Sequence, residues 1–155
     1  MAQCDLGFMY EGGRGVVRDH ELAVKWFRLA ADQGYAKAQY QLGSMYYKGQ
    51  TSYRTSSGGV LIFDEGNQQD YGLALKWLRP AADQGYAPAR FLLGEMYRDG
   101  HGVPQDYVLA HMWYNLEGAS GNKGSQERRD ALAEKMTPSQ IEEAQRLARE
   151  WRRTP

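Results

Sequence analysis

Few residues of this chain have the types and spacing that chemistry needs. "SGNK", Ser120 to Lys123, has the Ser-x-x-Lys spacing of penicillin-interacting serine enzymes, in which a lysine on the same helical turn helps to activate the serine hydroxyl. The Ser-Asp-Asn and Lys-Thr-Gly elements that accompany it in those enzymes are absent. "EGGRGVV", Glu11 to Val17, places glycines ahead of an apolar run, where the backbone N–H groups of a helix start could cradle phosphate. It has neither a Gly-Lys-Ser or Gly-Lys-Thr ending nor a preceding strand. His20, His101 and His111 are the only histidines, and none pairs at the i, i+4 spacing that puts two metal ligands on one helix face. Cys4 is the single cysteine, so it forms no internal disulfide and reads as a small buried hydrophobe. The expectation is no catalytic residue, no metal and no cofactor.

The elements that would position these residues come from an internal repeat, the signal that decides the fold. "LGFMYEGGRGVVRDHELAVKW" from Leu6 returns as "LGEMYRDGHGVPQDYVLAHMW" from Leu93. Between them "LGSMYYKG" starts at Leu42, and its second half, "QDYGLALKW", resumes only at Gln69. Leu6 and Leu42 are 36 residues apart, as are Trp77 and Trp113, and the middle copy carries 15 extra residues between Gly49 and Asp70. A fixed period of this size marks stacked helical pairs.

Each copy resolves into two helices. Ala2, Leu6, Met9 and Tyr10 share a face at helical spacing, as do Ala38, Leu42, Met45 and Tyr46, and Ala89, Leu93, Met96 and Tyr97. Gly7, Gly43 and Gly94 leave one spot on that helix bare for a neighbour. The second helix starts at Asp19, Asp70 or Asp106 as N-cap, buries Ala23 and Trp26 or their equivalents, and stops at the glycine of "DQGY". Trp26, Trp77 and Trp113 are assigned to packing. The recurrence of "GGRGVV" as "DGHGVP" turns the glycine loop into a helix-to-helix turn, and Ser120 aligns with Gln33 and Gln84 in the turn after a helix. Beyond the third copy, "SQERRDALAEKM" and "TPSQIEEAQRLAREW" read as two more polar helices, the latter with Thr137 as N-cap, Pro138 in the first position and Gln140 completing a capping box. They form a terminal cap over the last apolar face.

The totals agree with one domain of 155 residues. Nineteen basic against nineteen acidic residues give no net field, which disfavours nucleic acid as a partner. Arg146, Arg149, Arg152 and Arg153, interleaved with Glu142, Glu143 and Glu150, read as a solvated helix face. No stretch approaches a membrane span, so membrane insertion is not expected, and the first residues lack the pattern of a secretory leader. The chain is expected in the cytoplasm if complete, and in the periplasm or outside the cell if a leader has been removed.

Leu-Gly, a Tyr four residues after the Leu, Gly-x-Gly-Val, then Asp, Ala and Trp, closing with "AADQGY" at a 36-residue period, together resemble the Sel-one-like repeat (SLR) family, a branch of the tetratricopeptide (TPR) superfamily. The resemblance implies an all-α, right-handed α/α solenoid of three helical hairpins plus a C-terminal capping helix pair. Its boundaries are repeat 1 at 1–35, repeat 2 at 36–86 with the insertion within 50–69, repeat 3 at 87–122 and the cap at 123–155. It also implies a non-enzymatic adaptor or scaffold that binds a protein or peptide, frequently in bacterial signalling, envelope or host-contact settings. Some relatives have been linked to beta-lactam binding, which makes a beta-lactam or cell-wall hydrolase with Ser120 as nucleophile one alternative; a structural segment of a longer array is another.

By analogy with the superfamily, the first helix of each pair lines the concave groove. Counting from Leu-Gly, the expected partner-binding residues are Phe8 and Glu11 beside Cys4 in the first copy, Tyr40, Ser44, Tyr47 and Lys48 in the second, and Phe91, Glu95 and Arg98 in the third. This mixed aromatic and charged strip suits an extended peptide or a helix held by a few anchors. The insertion is the second candidate surface. Its run Val60, Leu61, Ile62 and Phe63 is strand-like and lies between glycine-rich ends, which suits contact with a partner or self-association.

Overall fold

The computed structural model describes residues 2–49, 52–54, 60–62 and 69–152. The backbone forms two compact units, Met1–Tyr86 and Ala87–Pro155. The fold is all-α, apart from two three-residue strands.

The first unit holds α1 (Ala2–Gly12), α2 (His20–Asp32), α3 (Ala36–Lys48) and α4 (Tyr71–Asp83), each packed on the next. The second holds α5 (Ala87–Asp99), α6 (Tyr107–Gly118), α7 (Lys123–Ala133) and α8 (Pro138–Trp151), where α6 packs against α5, α7 and α8.

The helix starts are fixed by side chains. Asp19, Asp70 and Asp106 accept the backbone N–H of Leu22, Leu73 and Leu109 at 3.0, 2.9 and 3.0 Å, satisfying donors that a helix start otherwise leaves orphaned. Thr137 and Gln140 exchange both bonds of a capping box, with Pro138 in the first turn of α8. In α2 and α4 the C-cap residue is Gln33 or Gln84, and the glycine expected there stands one position on, with Gly34 at φ 86° and Gly85 at φ 84°. In the helix-to-helix turns Gly13, Gly49 and Gly100 occupy equivalent places at φ 65°, 68° and 74°, a conformation that costs other residues free energy. The glycine cluster is therefore a turn. The same bond closes every hairpin: the N–H of Asp19, Asp70 or Asp106 donates to the carbonyl of Tyr10, Tyr46 or Tyr97 at 3.0, 3.1 and 2.9 Å.

Between Gly49 and Asp70 lie the two strands, β1 (Ser52–Arg54) and β2 (Val60–Ile62), paired antiparallel with Tyr53 opposite Leu61. Three residues of the apolar run are thus strand, as their pattern predicts, and Phe63 lies outside the described residues.

The packing rule at the heart of each hairpin lies one residue beyond the tryptophan. A Cβ at Gly7 would stand 2.6 Å from the ring of Phe27; at Gly43, 2.6 Å from Leu78 Cγ; at Gly94, 2.5 Å from the ring of Tyr114. Phe27, Leu78 and Tyr114 are fully buried, and each fills the space that its glycine leaves. Each such side chain is worth about 1.5–3 kcal/mol of burial. The tryptophans are less uniform: Trp77 and Trp113 are buried, while Trp26 is only half-buried. In the second unit the core joins Ala110 and Tyr114 of α6 to Leu132, Met136 and Ala144, with Phe91, Tyr97 and Ile141 around it. Trp113 meets Trp151 edge to face at 5.1 Å, which ties α8 to α6.

Candidate protein-interaction surface

The three first helices, α1, α3 and α5, carry the residues expected to meet a partner. On α1, Phe8 lies edge-on to the buried Phe27 with centroids 5.0 Å apart, and Lys37 of α3 places its Nζ 4.3 Å over the Phe8 ring. A cation over an aromatic face is attracted by the ring quadrupole. Phe8 and Glu11 share a cleft of about 540 Å³ with Asp5, Met9, Gly12, Arg14 and Lys37. Its wall is apolar at Phe8 and Met9 and carries both signs of charge at the rim.

On α3, Tyr40 packs against Tyr86 at 5.4 Å and Tyr47 against Tyr71 at 5.5 Å. Both keep part of their surface in solvent, and Lys48 is exposed. Ser44 is buried, as is Cys4 on α1. The small side chain at position 44 faces inward, so its neighbours Tyr40, Tyr47 and Lys48 make up the accessible part of this helix.

On α5 the charged residues are already engaged within the unit. Glu95 accepts the Tyr114 hydroxyl at 2.5 Å and pairs with Arg98 at 2.8 Å and Arg128 at 3.4 Å. Arg98 also pairs with Asp99 at 2.6 Å. The hydrogen bond from Arg98 holds the Asp99 carboxyl below its ordinary pKa, while burial and the bond to Glu95 push the Tyr114 hydroxyl far up. Phe91 packs on Tyr114 at 5.9 Å, with the Arg128 guanidinium 5.9 Å from its ring. Phe91, Glu95 and Arg128 thus form one half-exposed cluster of an aromatic ring and paired charges.

Lys37 and Arg128 belong to these clusters and were not singled out from the sequence. Each reaches its ring from a different helix, and repeat register gives no signal for that. Ser120 is placed plainly: its hydroxyl donates to the Glu117 carbonyl at 2.6 Å in the turn before α7, whereas Lys123 is the first residue of α7. The two do not share a helical turn, so the geometry that activates a serine is not built here. Among the described residues no group of three His, Cys, Asp or Glu could hold a metal ion, and no helix is long and apolar enough to cross a membrane.

Comparison with known proteins agrees with this architecture. The Sel1 repeat model matches residues 1–35, 36–55, 58–86 and 87–116, well over half of the chain. The chain is 33% identical over 141 residues to chitin synthase regulatory factor 3 of Schizosaccharomyces pombe, and 32% identical over 97 residues to a putative sel1-like repeat-containing protein of Acanthamoeba polyphaga mimivirus. These matches cover 89% and 63% of this chain but only 14% and 15% of those proteins, so the chain spans about a seventh of the length of these curated relatives. Among solved structures, a Sel1 repeat protein from Oxalobacter formigenes superposes with a TM-score of 0.69 at 33% identity, covering 84% of this chain and 86% of its own. The c5321 protective antigen of uropathogenic Escherichia coli, which displays an SLR fold, gives 0.54 at 28% identity over 96% of this chain and 37% of its own. Repeat period, hairpin geometry and these matches agree: the chain belongs to the Sel1 repeat family.

Proposed function

We propose that this chain is a non-enzymatic interaction module that binds a protein or peptide partner through the first helices of its hairpins. Sel1 repeat proteins generally mediate protein–protein interaction. The observation that carries the reading to particular residues is the half-exposed aromatic at a variable position of each first helix: Phe8 under Lys37, Tyr40 and Tyr47 on α3, and Phe91 beside Arg128. Aromatic anchors fringed by charge are the usual carriers of interface energy. The Schizosaccharomyces pombe relative is named a chitin synthase regulatory factor, which fits a part that recruits or positions another protein.

The test is a quantitative affinity capture that compares wild type with the Tyr47→Ala, Phe91→Ala double variant, both at equal helicity. Selective loss of a captured protein from the variant is the expected result; equal recovery of every one would remove these helices as the binding surface. Deleting Thr51 to Glu65 separates the second surface. Self-association that disappears with the deletion, at unchanged melting temperature, assigns it to the insertion, and unchanged association removes that role.

A further inference from the structure

In the second unit, α6, α7 and α8 enclose a cleft of about 510 Å³ lined by His111, Asn115, Arg129, Asp130, Ala133, Ile141, Gln145, Ala148, Arg149 and Arg152. Three guanidinium groups face it, against one carboxylate. Asp130 is committed to Arg129 at 2.7 Å, and Arg152 reaches only the Asn115 carbonyl at 3.4 Å. The contrast along α8 is sharp: Arg146, one turn before Arg149, is held at 2.5 Å by both Glu143 and Glu150. Among the described residues no carboxylate pairs with Arg149 or Arg152. Standing at i and i+3 they repel one another, a cost that a bound anion would reverse.

The buried side of the cleft gives an independent observation. His111 stands where the first two copies have Val24 and Leu75, both buried aliphatics, and it is only 3% exposed. Its Nδ1 is buried with no hydrogen-bond partner. Burial, and then the charge of Arg129, hold the ring below its ordinary pKa, so it is neutral and carries one proton. An imidazole replacing an aliphatic at a buried place, beside Arg149 and Arg152, with which no carboxylate pairs among the described residues, is poor core design and good anion-site design.

We propose that this cleft binds a phosphate dianion, free or as the monoester of a small molecule. The formal charge of its lining, three arginines less one aspartate, matches a dianion better than a carboxylate. Arginine forks suit phosphate oxygens. Ala133, Ile141 and Ala148 supply an apolar wall for a short organic tail. The proposal stands apart from the protein-binding reading and uses none of its residues.

The test is a titration of the whole chain with inorganic phosphate and, separately, phenyl phosphate, at constant ionic strength and with benzoate as control, followed by the NMR signals of the His111 ring. Saturable shifts with phosphate are expected, stronger with phenyl phosphate if the apolar wall takes part. A bound dianion should also raise the His111 pKa, against the opposing Arg129, Arg149 and Arg152 and alongside Asp130. Arg149→Gln with Arg152→Gln, the first in the last turn of α8 and the second its C-cap, both exposed, should weaken binding about tenfold or more at unchanged melting temperature. His111→Val installs the residue of the first copy: it should keep or raise stability while weakening phosphate binding, which a purely structural histidine would not do. Non-saturating shifts with both ligands, benzoate binding as well as phosphate, or unchanged affinity in either variant would overturn the proposal.

Discussion

The second and third hairpins carry the same frame and fill it differently. Gly43 makes room for Leu78, and the seam where α2 passes into α3 holds Ala30 and Ala38, both fully buried. Gly94 makes room for Tyr114, whose hydroxyl donates to Glu95, and the equivalents of those alanines are Glu117 and Ser125, also buried. Repeat against repeat, an apolar seam suffices; repeat against cap, the same seam is polar. The lesson is that the glycine and the residue after the tryptophan set the fold, whereas the positions around them are free to become specific.

Breaking the frame should have the largest effect. Tyr114→Ala removes a fully buried ring and is expected to cost about 3–5 kcal/mol in chemical denaturation, with Leu78→Ala costing about 2–5 kcal/mol, so that both hairpins depend on the frame alike. A far smaller loss at Leu78 would mean that the two frames are not equivalent. Next comes overpacking: Gly43→Ala should cost about 1–3 kcal/mol despite the better helix propensity of alanine, since its Cβ meets the branch point of Leu78. Combining it with Leu78→Ala should give a clear coupling energy in a double-mutant cycle, and strict additivity would contradict the contact.

The polar seam is sharpened by pH. Burial pushes the Glu117 carboxyl above its ordinary pKa, only partly countered by Asn122, which donates to it at 3.1 Å, and by Arg90. A raised carboxyl pKa contributes stability below the unfolded value, about 4.3, that is lost as pH rises through the folded value. The stability of wild type relative to Glu117→Gln should therefore fall over that window and level off above it; parallel profiles would show that Glu117 is not desolvated. The smallest effect is at the helix starts. Thr137→Ala in the cap and Asp70→Ala in the second hairpin should each cost about 1 kcal/mol, read as a lowered melting temperature, because capping is local and indifferent to the seam.

Much of the fold was legible because it is written three times. The Leu-Gly frame, the aspartate caps and the turn glycines recur in register, and any one copy corroborates the others. The terminal capping box was legible from local chemistry, since Thr137, Pro138 and Gln140 act on the backbone beside them. What repetition hides is what differs between copies. Phe27, Leu78 and Tyr114 share a position but not a side chain, so the tryptophan beside them drew the assignment of inner core. Register alone places Ser44 on the accessible face, whereas its side chain is buried. The clusters of the candidate surface escaped because Lys37 over Phe8, and Arg128 against Phe91 and Glu95, join helices that sequence spacing does not relate. Arg149 and Arg152 resemble Arg146 in sequence, and only the three-helix packing around His111 separates them.

The hairpin-closing bond from Asp70 to the Tyr46 carbonyl has the length of its counterparts, 3.1 Å against 3.0 and 2.9 Å, although 15 more residues lie between its ends. Chain added between two anchored points costs closure entropy that grows only with the logarithm of its length. The place after Gly49 is therefore a socket: foreign segments of varied length, an epitope or a whole small domain, can be spliced there while the frame on either side keeps its register. A scaffold of this kind acquires new recognition by exchanging one segment, without redesigning a single packed residue.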